Sequence, residues 1–563
     1  MKRYTTSRLA GALLCALLTA TTASAQQPAP QSMDEVVQRI CAQEAITLRV
    51  LKGFHPVAET YIQELKADED LGSVPSTDHY FLGKIDLSKG VTVDSFIPEP
   101  RHRFKLPKFK NFFNITLLPR GFAQMMIIDG EGFNPATYDF EFVKREFVGD
   151  VRTLVFNVKA KKNSGTGRFI GRIWAEDHDF NIVRFNGTYG PAPKGSFYLH
   201  FDSWRVNTGP DLWMPYALYV EESDLPYAMG RKKMIFKSQT RFWGYDAKVN
   251  PEEGIFTSLY VDLNAAQDKA ATADASPLEG LRQWQAQAED NILSRMQKAA
   301  LLAPAGEVEK VLETVVNNLI VTNNLDIQPD VHCRVLLTSP IESFTVGHSI
   351  VISRGLVDTL PDEASLAAVM AHELAHIALG HKLDTKFSFT DRMQFQDTEA
   401  LQNLIFARPD KEETEADDKA MDLLAASPYK DKLASPGLFL RALAARSSSM
   451  PGLTHPLFGG RMADTSAVLR MKKLMDTAPE LKIRALDQTA ALPLGGRIKV
   501  DPWTDEVKLL RSRTVPLLSA REKMQFEVAP IFINLTRIKV PEEPGKEPAK
   551  DTVQKSGGSG GNQ

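Results

Sequence analysis

Apolar and polar positions change their rhythm along this chain, and each change predicts a class of element. Residues 33–65, MDEVVQRICAQEAITLRVLKGFHPVAETYIQEL, carry apolar side chains at three- and four-residue spacing, which predicts helix. From about 75 to 265 the texture turns to short runs rich in Val, Ile, Phe, Tyr and Trp. RTLVFNVKA, GRFIGRIWAE, NIVRFNGTY, SFYLHFDSWRV, WMPYALYVEE and KMIFKSQTRFWGY are such runs, separated by turn formers such as NSGTG and GPAPKG. Several alternate apolar with polar, the mark of an antiparallel sheet. Helical spacing returns from about 275 to 480, as in GEVEKVLETVVNNLIV, and one β-like run interrupts it, CRVLLTSPIESFTVGHSIVISRGL. Residues 485–540 read as strand-rich again, with GGRIKVDPWTDEVKLL as strand, turn, strand. The expected fold is therefore multidomain α+β. A helical lead-in (26–74) precedes an antiparallel β domain (75–265). A mainly helical domain with a short sheet (275–480) and a small β-rich region (485–540) follow. The last residues, 541–563, are poor in apolar side chains and read as disordered. No internal repeat is evident.

Length and composition fit several ordinary globular domains: 563 residues, 43% hydrophobic, 24% charged. A net charge of −3 offers no basic field for nucleic acid. The N-terminus reads differently. Lys2, Arg3 and Arg8 precede the apolar run LAGALLCALLTA, and TASA ends in small residues. This is the layout of a secretory signal peptide over residues 1–25, with cleavage expected after Ala25. The run is short for a membrane span, and no later stretch offers 18 uncharged apolar residues. The expectation is a soluble exported chain in a bacterial periplasm, without a transmembrane segment; peripheral contact with the envelope stays open. Export leaves Cys41 and Cys333. An oxidising compartment permits a disulfide between them, and two separate buried thiols are the alternative.

The stretch VMAHELAHIALGH, residues 369–381, carries histidines and a glutamate in an otherwise apolar run. Such groups are costly on a buried face unless something pairs with them. On a helix over 362–383, begun by Pro361, Asp362 and Glu363, His372 and His376 project from one face about 6 Å apart along the axis. Two imidazoles at that spacing can share one tetrahedral zinc ion. Glu373 points to one side, placed to take a proton from zinc-bound water rather than to ligate. A third protein ligand is needed, and EETEADDKAMDLLAA offers it on a second helix over 412–426. Glu413 can ligate, and Asp417, four residues on, can accept a hydrogen bond from a ligand histidine. Glu412 and Glu415 are fallback ligands. His381 lies about 140° round the helix from His376 and reads as a helix-end histidine near the negative dipole end. His332 and His348 read as structural.

Together, VISRGLVDTLPDEASLAAVMAHELAHIALGH, EETEADDKA and THPLFGGR resemble the HtpX, BepA and CAAX-prenyl-endopeptidase family of gluzincin zinc metallopeptidases, over about 310–470. The resemblance implies one zinc ion per chain held by His372, His376 and Glu413, with Glu373 as general base and polypeptides as substrates. It implies that His455 stabilises the tetrahedral intermediate or caps the zinc in a latent state, and that Arg461 lies near the substrate. The chain departs from the family where Glu342, Ser343 and Phe344 replace the usual Asn-Ala-Phe, and Val346, Gly347 and His348 replace a Gly-Gly pair. That strand resembles the edge that pairs with substrate backbone. The transmembrane helices of some branches are missing, which points to a soluble exported branch acting on envelope proteins. The β region is similar to the half-barrel of LolA-like periplasmic carriers, which implies a concave apolar surface for lipid or peptide. Trp174, Trp204, Trp213 and Trp243 read as sheet core. The expected enzyme is a zinc endopeptidase; the rival reading is a latent chaperone or carrier whose zinc is capped by His455.

Overall fold

The computed structural model describes residues 30, 32–88, 91–97, 119–130, 132–192, 198–209, 211–227, 232–245, 277–382, 401, 402, 404, 406–462, 470–510, 517–523 and 525–538. The signal-peptide reading, the tail at 541–563 and the joint at 246–276 lie outside them.

Helix α1 (Met33–Leu51) starts where Ser32 accepts the Glu35 N–H at 3.2 Å. It ends well before the 65 expected from spacing. Gly53 and Pro56 follow Leu51, and residues 57–68 form a strand instead of a helix. Strand β1 (Val57–Asp68) is buried on both faces over its first seven residues, so it lacks the polar alternation that marks an edge-facing strand. Then come β2 (Gly72–Asp86), β3 (Thr92–Ser95), the short α2 (Pro119–Gln124), β4 (Tyr138–Val148), β5 (Val151–Ala160), β6 (Arg168–Glu176), β7 (Ile182–Gly190), β8 (Phe201–Gly209), β9 (Leu212–Tyr227) and β10 (Lys232–Trp243). They form one ten-stranded antiparallel sheet in the order β3-β2-β1-β10-β9-β8-β7-β6-β5-β4. Only the β1–β10 pairing joins strands distant in sequence.

One face of the sheet closes over α1. Val36, Val37, Ile40 and Cys41 join Leu154, Phe156, Phe169 and Phe201 in one apolar cluster. Glu44 of α1 and Arg205 of β8 form a bidentate pair at 2.6 and 2.7 Å, each about 1% exposed. Such a pair fixes the helix on the sheet, because removing either partner strands a buried charge. On the opposite face Trp174, Trp204 and Trp213 are buried beneath Ile531 and Leu535 of the C-terminal segment. Arg184 stacks between Trp174 and Trp204, 4.5 and 4.3 Å from their ring centres. Trp243 is 1% exposed and packs on the helical domain.

The helical domain follows: α3 (Pro277–Lys298), α4 (Glu307–Thr322), β11 (His332–Leu336), β12 (Ser343–Val346), β13 (Ser349–Ser353), α5 (Arg354–Thr359), α6 (Glu363–Ala378), α7 (Asp410–Ala425), α8 (Ala434–Ser447), α9 (Pro451–Thr454) and α10 (Lys472–Thr477). A three-stranded sheet runs β11-β13-β12, leaving β12 at its edge. The strand-turn-strand expected near 495–510 is the hairpin β14 (Ile498–Val500) and β15 (Val507–Leu509).

The two parts are joined by buried polar contacts from β1 and β2. Glu59 pairs with Arg354 at the start of α5, and its carboxylate also accepts from the Ser339 hydroxyl at 2.8 Å and the Tyr80 hydroxyl at 2.9 Å. Asp78 accepts the Gly452 and Leu453 N–H groups at 2.7 and 2.9 Å, which anchors α9. Gln63 donates to the Phe526 carbonyl and accepts the Val528 N–H, both at 2.8 Å. Cys41 and Cys333 are separate buried thiols, one under the large sheet and one in the helical domain. Burial, with Glu44 beside it, pushes the Cys41 thiol up to about 12.

Candidate metal centre

Helix α6 is built to be buried. Asp362 caps it, accepting the Ser365 N–H at 2.8 Å, and Ala at 364, 367, 368, 371 and 375 lets neighbours approach closely. All its residues from Ala367 to His376 are buried, so His372, Glu373 and His376 need partners within the fold. Helix α7 supplies them.

His372 Nε2 lies 3.2 Å from His376 Nε2 and 3.2 Å from Glu413 Oε2, and His376 Nε2 lies 3.9 Å from the same oxygen. A tetrahedral ion with bonds of about 2.0–2.1 Å has ligand atoms roughly 3.3 Å apart. The donor set and its spacing therefore fit a zinc ion. The imidazole side chains are 3% and 1% exposed and the Glu413 side chain 12%, so Glu413 is the donor nearest to solvent.

Asp417 holds the first histidine. Its Oδ1 meets His372 Nδ1 at 2.8 Å, and its Oδ2 accepts the Met471 N–H at 2.7 Å. Burial alone would lower the His372 pKa, but Asp417 and Glu413 overcome it and hold it at about 9. Burial works against the Glu413 carboxylate too, and the two histidines with Arg470 hold it well below the usual range. The fallback ligands face elsewhere: Glu412 pairs with Arg408 at 3.5 Å, and Glu415 lies 3.4 Å from His381.

Glu373, 1% exposed, is held by two groups on Oε1: the Ser343 hydroxyl donates at 2.7 Å and Arg470 Nη1 at 3.1 Å. Ser343 is thus what the departure from Asn-Ala-Phe brings to the site. Glu342 beside it accepts the Phe458 and Gly459 N–H groups at 3.0 and 3.1 Å. Phe344 stacks on Phe406 with ring centres 4.8 Å apart, so all of β12 is buried.

Arg470 reaches this cluster. Besides Glu373, it meets Glu413, with Nη2 donating to Oε1 at 3.3 Å and Nε at 3.0 Å from Oε2 as an unaligned ion-pair contact. Burial opposes its charge, but Glu413, Glu373 and Asp417 raise its pKa further. No local motif singles it out; the signal was a charge within the apolar run AVLRM, which needs a buried partner. His455 and Arg461, the residues expected near the reacting atoms, are exposed. Arg461 follows Gly460, where a Cβ would sit 2.6 Å from Arg470 Nη2 and 3.3 Å from Glu413 Oε1. A side chain at 460 would have to displace the Arg470 guanidinium, and Arg461 follows on the exposed side.

Two helices thus present a pair of histidines and a carboxylate to one point, with a second glutamate alongside, and this donor set fits a metal ion. Residues 306–485 match Peptidase family M48. It is similar to the metalloprotease LoiP of Escherichia coli (strain K12), at 34% identity over 94 residues. That similarity covers 16% of this chain and 36% of LoiP, so the chain spans about a third of the length of this curated relative. Among the described residues no helix is long and apolar enough to cross a membrane.

Proposed function

We propose that the chain is a zinc-dependent endopeptidase that hydrolyses exported or misfolded envelope polypeptides. The convergence of His372 Nε2, His376 Nε2 and Glu413 Oε2 beside the Glu373 carboxylate carries this reading. A zinc ion bound by those three residues would supply Lewis acidity and acidify a water. Glu373, fixed through Oε1 by Ser343 and Arg470, accepts a proton from the attacking water and returns it to the departing amine. Arg470 is the buried cation beside both carboxylates, and we assign to it the oxyanion role that the resemblance gives to His455. Arg461 at the rim is left to grip substrate main chain. The signal-peptide pattern at 1–25 supports an exported, periplasmic protein.

The test is cleavage of casein by the purified chain with zinc, beside Glu373→Gln. The parent should cleave, and the variant should keep its zinc while losing roughly 10²–10⁴-fold in rate. Equal cleavage by both would sink the assignment of the base.

A second reading, a latent zinc protein acting as chaperone or carrier, is favoured by the burial of all of β12. It expects one zinc per chain and no cleavage by the parent.

A further inference from the structure

His381 stands against the second histidine of the centre, where projecting the helix onward would not put it. Helix α6 stops at Ala378, and Gly380 adopts φ +70°, open space surrounding the place of a Cβ. Left-handed backbone there is what glycine permits at a helix end. The chain reverses: Leu379 N–H bonds the Ala375 carbonyl, Gly380 N–H that of Ile377, and His381 N–H that of His376. The reversal lays the His381 ring on His376, with ring centres 5.1 Å apart and Nδ1 to Nδ1 at 2.9 Å. The far nitrogen, Nε2, lies 3.4 Å from Glu415 Oε2. Glu415 in turn lies 3.7 Å from Lys411.

This order of groups selects tautomers. The Glu415 carboxylate is an ion-pair contact 3.4 Å from Nε2 of His381; it can accept a hydrogen and offers none, so it favours the hydrogen on that nitrogen. Nδ1 of His381 is then an acceptor. It can bond His376 Nδ1 only if that nitrogen carries a hydrogen. Nε2 of His376 is left with its lone pair turned toward His372 and Glu413. The opposite assignment would aim an N–H into the donor cluster.

We propose that His381 is a positioning residue for the metal centre, fixing the ring and tautomer of His376 and itself aimed by Glu415. The proposal rests on the reading of His372, His376 and Glu413 as the ligand set. It makes the two histidines unequal: His372 is held directly by the Asp417 carboxylate at 2.8 Å, and His376 through a second imidazole. Groups of this kind typically change metal affinity 10–100-fold.

The experiment is zinc affinity of the full chain, measured by competition with a chromogenic chelator. His381→Leu should bind zinc about 10–100-fold more weakly than the parent. His381→Asn, whose amide oxygen can replace Nδ1 as acceptor, should stay within about threefold, and Glu415→Ala should fall between them. Metal-free unfolding midpoints equal to the parent's would show the fold intact. Parent-like affinity in His381→Leu overturns the proposal, as does an Asn variant as weak as the Leu one. If His381→Leu does not fold, parent-like affinity in Glu415→Ala overturns it. His372→Ala separates the two layers. Zinc lost there but kept in His381→Leu refutes the relay alone; zinc kept in His372→Ala refutes the ligand set beneath it.

Discussion

Arg470 Nη1 lies 3.1 Å from Glu373 Oε1 while its Nη2 reaches Glu413 Oε1 at 3.3 Å. One guanidinium thus ties the proposed base to the proposed third ligand. Arg470→Met leaves two buried carboxylates without their cation. Casein cleavage should fall roughly 10²–10³-fold. Stability of the metal-free protein should drop by about 3–5 kcal/mol in urea, the usual cost of breaking a buried pair. Arg470→Lys should recover part of the stability and little activity, since an ammonium cannot span both carboxylates in a plane.

Asp417 makes two bonds that pull different elements together, one to His372 and one to the Met471 N–H, where Met471 adopts φ +55°. Asp417→Asn keeps the size and removes the charge. Zinc affinity should weaken by about 10–100-fold in chelator competition, with casein cleavage at saturating zinc less affected than affinity.

The joint between the sheet and the helical domain can be tested at Glu59 and Arg354, whose side chains are 3% and 1% exposed. Arg354→Leu should cost about 3–5 kcal/mol, because Glu59 remains buried without its cation. The double variant Glu59→Leu, Arg354→Leu should be less destabilised than either single one. Urea unfolding of the four proteins checks this, and additive losses would refute it.

Glu342 gives the chain a pH dependence of its own. Burial pushes its carboxyl from the ordinary 4.5 up to about 7, against the pull of the Phe458 and Gly459 N–H groups. The folded state therefore binds a proton between about pH 4.5 and 7 that the unfolded state has released. Stability from this group falls as pH rises through that window. Glu342→Gln should remove this group's share of the slope. The parent's stability relative to the variant should drop by about 1–3 kcal/mol between pH 5 and pH 8 in paired denaturation curves. A constant difference would show that Glu342 does not titrate there.

What the sequence reveals about this site follows range. His372, Glu373 and His376 are legible because one helical turn sets their geometry, and Glu413 with Asp417 repeats that logic on a neighbouring helix. Arg470 is 97 residues from Glu373, and no period connects them. His381 was read on a helix extended past Gly380, whereas φ +70° at that glycine ends it. The strand at 57–68 hides for another reason. Glu59 and Gln63 sit four residues apart and mimic a helix face, yet both are buried strand residues satisfied from other segments. The short aromatic runs of the sheet were legible because turns bound them, although burial on both faces blurs their alternation.

The anchoring of α9 by Asp78 also bears on how the chain can be cut. Residues 306–485 share their apolar interior with Val57, Tyr61, Leu82 and Trp243 ahead of them and with Phe526 and Val528 behind. A fragment trimmed to those bounds would present this interior to water and lose the grip on the loop that carries Gly459 and Gly460. The peptidase segment should therefore be insoluble or molten when expressed alone. In folding terms the sheet and the helical domain form one cooperative unit, with a single apolar interior that neither can close alone.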